Sequence, residues 1–177
     1  MAFPHKLSTF FFAVLVAVVA ATTVTADLVD TVCGKTPQPA LCTQTLRADP
    51  RSKDADLNAL GLVAIDIATN EAKSGQALVQ SLLNGATDPN LKEIYSSCVE
   101  HYTNSVNSLG KCPDLLRSRD FTRLNIQASA ALDNPGNCDE EFSEGSAAEP
   151  PQVKDTSSKL QEFCNIVLVI SSLSKGA

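Results

Sequence analysis

The chain has 177 residues and a formal net charge of −6, because 20 acidic side chains outnumber 14 basic ones. An acidic chain without a clustered basic run is a poor match for nucleic acid, an anionic membrane surface or a polyanionic polysaccharide. This length supports one domain with a core of its own. We therefore expect another protein as the binding partner.

Residues 1–26 have the pattern of a secretory signal peptide. Lys6 supplies positive charge, an apolar run extends from Phe10 to Ala21, and small residues precede Asp27. The run is short for a membrane span, although a signal anchor is the alternative. We expect cleavage after Ala26, which leaves a mature domain of residues 27–177 that is not held in a membrane.

Apolar residues recur every three to four positions along most of the mature chain, and strand-like alternation is scarce. Asp54, Asp88 and Asp120 are suited to cap helix starts, and Pro113 is suited to end the second helix. The turn signal Asn134-Pro135-Gly136 predicts a break or kink within the third. The four predicted helices span residues 55–84, 89–112, 120–145 and 153–174.

Short connections between these helices favour an up-and-down antiparallel arrangement. Residues 28–48 add two short helical pieces around the segment Thr36-Pro37-Gln38-Pro39. The fold class is therefore all-α: an antiparallel four-helix bundle, residues 54–175, preceded by an N-terminal helical hairpin and stapled by disulfides.

Six cysteines allow fifteen connectivities, and the sequence alone does not choose among them. Cys33 and Cys42 flank the proline-containing turn, where a small staple is natural. When the second and third helices are mirrored about residue 116, Cys98 lies about one turn from the height of Cys138, so this pair is feasible.

Cys112 and Cys164 are predicted to be unpaired. Mirroring the third and fourth helices about residue 149 places Cys164 level with Cys98, roughly 20 Å along the bundle from Cys112 at about 1.5 Å per residue. A disulfide needs Cα atoms within about 7 Å. We expect Cys164 to be a buried thiol; for Cys112 an intermolecular bond is the alternative.

The residues offer little catalytic chemistry. His101, the one histidine of the mature chain, stands beside Glu100 and is interpreted as a solvated surface residue. The run Asp139-Glu140-Glu141 is interpreted as a solvated acidic face, because adjacent helical residues point in different directions. We expect no catalytic residues, no metal site and no cofactor.

Short motifs follow one another in a set order along the mature chain: Cys33 and Cys42, Ala48-Asp49-Pro50-Arg51-Ser52, Ala55-Asp56-Leu57, Leu91 to Tyr102 with Cys98, Asp120-Phe121, Ser129-Ala130-Ala131-Leu132, and Cys138-Asp139-Glu140 with Phe142. In this order, behind a signal peptide, they resemble the plant invertase and pectin methylesterase inhibitor family. The nearest resemblance is to the invertase-inhibitor-like subgroup that includes plane-tree pollen allergens.

The resemblance implies the bundle with its hairpin and disulfides Cys33–Cys42 and Cys98–Cys138. Cys112 lies outside the four-cysteine pattern, and Cys164 matches a fifth, unpaired cysteine of some members. The implied function is not enzymatic. It is non-covalent, one-to-one inhibition of a pectin methylesterase or an acid invertase in the apoplast, with the vacuole as the alternative location. A non-inhibitory extracellular binding protein, resembling the pollen allergens, is the alternative function.

The target-docking segment implied by the family is Arg119-Asp120-Phe121. Invertase inhibitors resemble one another in a Pro-Lys-Phe segment that enters the invertase cleft, and this chain keeps only the phenylalanine. Asp120 brings a negative charge toward a cleft that carries carboxylates, whereas Arg119 can compensate for it. Pectin methylesterase inhibitors instead lay a helical face of the bundle over the enzyme.

Overall fold

A computed structural model describes residues 27–176, so the predicted signal peptide, residues 1–26, lies outside the described residues. The prediction of an all-α bundle with an N-terminal hairpin is confirmed. The elements are α1 (Leu28–Cys33), α2 (Pro39–Ala48), a 3-10 turn (Pro50–Ser52), α3 (Leu57–Gly85), α4 (Pro89–Leu109), α5 (Cys112–Arg117), α6 (Phe121–Glu144) and α7 (Pro151–Lys175).

The four long helices α3, α4, α6 and α7 form an antiparallel ring. α3 packs on α4, α4 on α6, α6 on α7, and α7 closes the ring against α3. Their buried faces carry mostly apolar side chains, and Tyr102 of α4 and Phe142 of α6 are the largest that are fully buried. One end of the bundle therefore gathers the start of α3, the start of α6 and the end of α7.

Two of the three predicted helix caps are confirmed. Asp88 accepts a hydrogen bond from Leu91 N–H at 3.0 Å, and Asp120 accepts one from Arg123 N–H at 3.1 Å. The third is wrong, because the cap of α3 is Asp56, which accepts from Ala59 N–H at 2.7 Å. Asp54 instead has a φ of 58° in the connection that follows the 3-10 turn.

The second predicted helix, 89–112, is too long. α4 ends at Leu109, and Cys112 begins the short helix α5, which the sequence did not indicate. Pro113 lies in the first turn of α5, where its missing N–H has no intrahelical partner to lose. The proline that we expected to end one helix therefore lies in the start of another.

Of the predicted break or kink at Pro135, the break is wrong, since α6 is helical from Phe121 to Glu144, and the kink stays a prediction. Proline has no N–H to donate to the carbonyl four residues earlier, which is that of Ala131. Ser105 of α4 replaces that donor, because its hydroxyl donates to Ala131 O at 3.0 Å. Ser157 of α7 donates to Pro135 O at 3.2 Å, so both neighbouring helices hold this segment.

The structure contains the disulfides Cys33–Cys42 and Cys98–Cys138, with Cα atoms 5.4 and 4.8 Å apart. They are the pairs that the family resemblance implied. The bond from Cys98 closes a loop of 40 residues against 9 for the hairpin bond. It should therefore restrict the unfolded chain more, within a usual contribution of about 2–4 kcal/mol.

Cys112 and Cys164 are both buried thiols. Burial raises the pKa of Cys112 to about 11 and raises the pKa of Cys164, and a charge at Cys112 would raise the latter further. The full burial of Cys112 argues against the intermolecular bond.

The height estimate that separated these two thiols is wrong. The observed pairs Ser105–Ala131 and Pro135–Ser157 have midpoints at residues 118 and 146, whereas the estimate used 116 and 149. Reflecting a residue about a midpoint doubles the error in that midpoint, and the errors of the two midpoints act in the same direction. Tyr102 contacts Ser157, so the same offset along the parallel helices α4 and α7 places Cys164 level with Leu109, three positions before Cys112.

The N-terminal hairpin is attached to the bundle through a buried carboxylate. Glu162 of α7 is 1% exposed and accepts a hydrogen bond from Gln38 N–H at 3.2 Å. Gln38 is the N-cap of α2. In a capping box, the backbone N–H of the N-cap residue donates to the side chain of a glutamate in the same helix. Here α7 supplies that glutamate, so the start of α2 is fixed on the bundle.

Removing the Ser105 hydroxyl tests whether its hydrogen bond to Ala131 O stabilises α6 around Pro135. Ser105→Ala leaves the buried Ala131 carbonyl without a donor, and we expect a loss of about 1–3 kcal/mol of unfolding free energy. Ser96→Ala, at an exposed position of the same helix, is the matched control and should change stability by less than about 0.5 kcal/mol. Equal effects in urea unfolding would contradict this account of Pro135.

Candidate docking site at one end of the bundle

The predicted segment Arg119-Asp120-Phe121 forms the turn between α5 and α6. Beyond Ser118, which ends α5, Arg119 N–H donates to Leu116 O at 3.1 Å and Asp120 N–H to Leu115 O at 2.9 Å. This is the hydrogen-bond pattern of a Schellman motif. The turn, which we call the docking turn (residues 119–121), is therefore a defined structure.

Arg119 is exposed and has a left-handed backbone, with a φ of 58°. Glycine usually occupies this position of the motif, because other residues pay a steric cost there of about 1–2 kcal/mol. Among the described residues only Asp54 and Ser146 share such a conformation without being glycine. An exposed arginine held at a strained position is therefore a candidate for a functional role.

Asp120 has a local structural role. Its carboxylate caps α6, and Arg123 Nε lies 3.5 Å from Asp120 Oδ2. Carboxylates near a helix N-terminus are stabilised by the helix dipole. The negative charge that the sequence led us to weigh against target binding is therefore directed at α6 and at Arg123, and Arg119 is the charged group that the docking turn presents.

Phe121 is half-buried and packs against the edge of the core, while its carbonyl accepts from Ser171 Oγ at 3.2 Å. Its ring borders two grooves. One, of 280 Å³, is lined by Leu57, Leu116 and Arg119, and the other, of 540 Å³, by Thr122, Ile126 and Lys175. Phe121 thus contributes to the core and to the surface of the docking turn at once.

Ile126 is a surface feature that the sequence reasoning missed. It is 58% exposed and is the one large hydrophobic side chain classed as exposed among residues 27–176. It lies five positions after Phe121 in α6, off the buried stripe that Leu124 and Ala128 follow. The sequence could have indicated this exposure, because position 126 lies off the apolar stripe of the helix.

The other two groups that the sequence singled out are less solvated than expected. His101 is 22% exposed and lies between α4 and α6, with Nε2 3.5 Å from Glu141 Oε1. Asp139 has a buried carboxylate oxygen, so the run 139–141 is not a uniformly solvated face. Among the described residues no group of three or more His, Cys, Asp or Glu side chains could hold a metal ion. No helix in that part of the chain is long and apolar enough to cross a membrane.

The family model described as "Plant invertase/pectin methylesterase inhibitor" matches residues 27–170. The chain belongs to this family. Among its members, the chain is 45% identical to the pectinesterase inhibitor of Actinidia deliciosa over 150 residues, which cover 85% of this chain and 80% of that protein. It is 30% identical to a putative invertase inhibitor of Platanus acerifolia, with 98% of each chain covered. These relatives are inhibitors and not enzymes.

A solved structure of the family has the same fold. The crystal structure of mutant form A of a pectin methylesterase inhibitor from Arabidopsis aligns with a TM-score of 0.74 at 29% identity, covering 84% of this chain and 97% of that one. The nearer likeness to the plane-tree subgroup, expected from the sequence, does not hold in these comparisons, because the Actinidia pectinesterase inhibitor is more similar.

Relief of the backbone strain at Arg119 gives a stability prediction. Arg119→Gly should raise the unfolding free energy by up to about 1 kcal/mol, because glycine adopts positive φ without a steric penalty. Asp54→Gly and Ser146→Gly are matched controls at the other two strained positions and should show gains of similar sign. A stability loss confined to Arg119→Gly in urea unfolding would show that the arginine side chain stabilises the turn.

Proposed function

We propose that the mature chain inhibits a pectin methylesterase by docking on it non-covalently, one to one, so that the bundle blocks the enzyme's cleft. The observation that carries the proposal is the 45% identity to a pectinesterase inhibitor, against 30% to the plane-tree putative invertase inhibitor. A secreted protein of the apoplast fits the two disulfides, which form and persist in oxidising compartments.

The shape of the docking turn supports the same choice of target. In the invertase-inhibitor segment Pro-Lys-Phe, the proline would stand at position 119. Proline is restricted to a φ near −65°, whereas Arg119 has a φ of 58°. The turn therefore differs from an invertase-inhibitor segment in backbone conformation as well as in sequence.

Inhibition of an acid invertase is the second candidate. Phe121 keeps its place at the docking turn, and the alignment with the putative invertase inhibitor covers 98% of both chains. A non-inhibitory extracellular binding protein is the remaining alternative, and it requires that neither enzyme be inhibited by a correctly folded protein.

A paired titration tests the function. The oxidised mature chain, residues 27–177, is added to a plant pectin methylesterase and to an acid invertase at mildly acidic pH. We expect saturable loss of pectin methylesterase activity near one equivalent, with invertase activity retained. Inhibition of invertase alone would select the second candidate, and inhibition of neither by a helical, disulfide-bonded sample would contradict the inhibitor proposal.

The family resemblance implies that pectin methylesterase inhibitors dock through a helical face of the bundle, so a charge-reversed variant tests whether the docking turn makes the contact instead. Arg119→Glu should weaken inhibition at least about tenfold, since removing a contacting charge and introducing its opposite costs 1.4 kcal/mol or more. Lys92→Glu makes the same charge change at an exposed position of α4, at the opposite end of the bundle, and should have little effect on inhibition. Equal effects would place the contact on another face of the bundle.

A further inference from the structure

Two buried carboxylate oxygens lie at the end of the bundle opposite to the docking turn. They are Oδ1 of Asp139 on α6 and Oε1 of Glu149 in the linker between α6 and α7, and neither receives a hydrogen bond from any described residue. The two carboxyl groups lie close enough to influence each other, and the charges of both reach Tyr102 of α4. Buried acceptors without donors are disfavoured, and two ionised carboxylates in contact repel each other. One proton between them would remove both penalties.

The linker has backbone hydrogen bonds in its first half and, among the described residues, none at Ala148 or Glu149. Its first half is fixed, because Ala147 N–H donates to Phe142 O and Asn90 Nδ2 donates to Gly145 O, both at 2.9 Å. Glu149 follows two residues later, directly before the Pro150-Pro151 pair at which α7 begins. A hydrogen bond from Glu149 to Asp139 would therefore join the start of α7 to α6.

The surroundings favour the protonated form of Glu149. Burial raises the pKa of Glu149 to about 7, helped by the charge of Asp139 and by its hydrogen bond, and Lys154 of α7 opposes this. Of the other helices, α3 contributes one more acid near this group: Glu71, together with the pair itself, contributes to the raised pKa of Tyr102 on α4. Lys159 and Asp155 of α7 face Glu71.

We propose that a proton-dependent hydrogen bond between Glu149 and Asp139 holds the linker between α6 and α7 in place. In mildly acidic surroundings Glu149 keeps its proton and donates it to the Asp139 carboxylate, which holds the linker on α6. As the pH rises, the proton passes to solvent, both carboxylates are ionised, and their repulsion loosens the linker and the first turn of α7.

The sign of the pH dependence follows from linkage. Folded Glu149 binds its proton more tightly than the unfolded chain does, with a pKa of about 7 against an ordinary 4.5. Its contribution to stability is therefore complete below the ordinary value, falls as the pH rises through about 7, and is absent above it. Acid strengthens this contact, in contrast to carboxylates that are paired with cations.

The test compares Glu149→Gln with the unchanged protein in thermal melting at pH 5 and pH 8. The glutamine amide donates to Asp139 at every pH, so the variant should melt several degrees higher than the unchanged protein at pH 8 and equally at pH 5. Glu140→Gln removes the same charge at an exposed neighbouring position and should show no such gain. A gain absent at pH 8, or shared by Glu140→Gln, would overturn the proposal.

A second measurement does not depend on the folding of a variant. The side-chain carboxyl of Glu149 in the unchanged mature protein is followed by carbon NMR while the pH is raised. The proposal predicts a titration midpoint near 7 together with faster amide exchange at Ala148 and Glu149, after correction for the intrinsic pH effect. A midpoint near 4.5 would refute it, and so would a linker whose protection does not change through the titration.

Discussion

Tyr102 is the side chain around which the four long helices are arranged. Projecting from α4, it packs so closely on α3 that a Cβ on Gly75 would overlap its ring. Its hydroxyl lies 3.1 Å from Ser157 Oγ on α7, and Ser157 in turn donates to Pro135 O on α6. Because Ser157 has one proton and gives it to Pro135, Tyr102 is the donor in the first bond.

This chain of contacts fixes the heights of the helices relative to one another. Burial raises the pKa of Tyr102 to about 12, so the hydroxyl stays neutral and keeps its proton. The contacts at Ser157 and Pro135 set where α7 passes α6, and the Ser105 bond to Ala131 sets where α6 passes α4. The end of α7 is therefore positioned beside the start of α6, where Ser171 binds the carbonyl of Phe121 and supports the docking turn.

The sequence predicted the four long helices, but it did not predict the short helix α5 or the contacts between helices. The apolar periodicity and the caps Asp88 and Asp120 are local, and they predicted the bundle. The continuity of α6 depends on Ser105, thirty residues from Pro135 in the chain, and no local signal shows that a distant hydroxyl replaces the missing N–H. The cap at Asp56 rather than Asp54 depends on where the 3-10 turn ends. The docking turn was located by resemblance, but the left-handed conformation of Arg119 appears only in the structure.

A turn that presents an exposed cation and a half-buried ring lies at one end of the bundle, and we propose that the target binds at this turn. Amide hydrogen exchange of the oxidised mature chain, measured alone and with one equivalent of pectin methylesterase, locates the contact. Added protection is expected mainly at residues 115–126 and at the neighbouring end of α7. Protection on a side face or at the opposite end of the bundle, with these residues unchanged, would contradict this proposal.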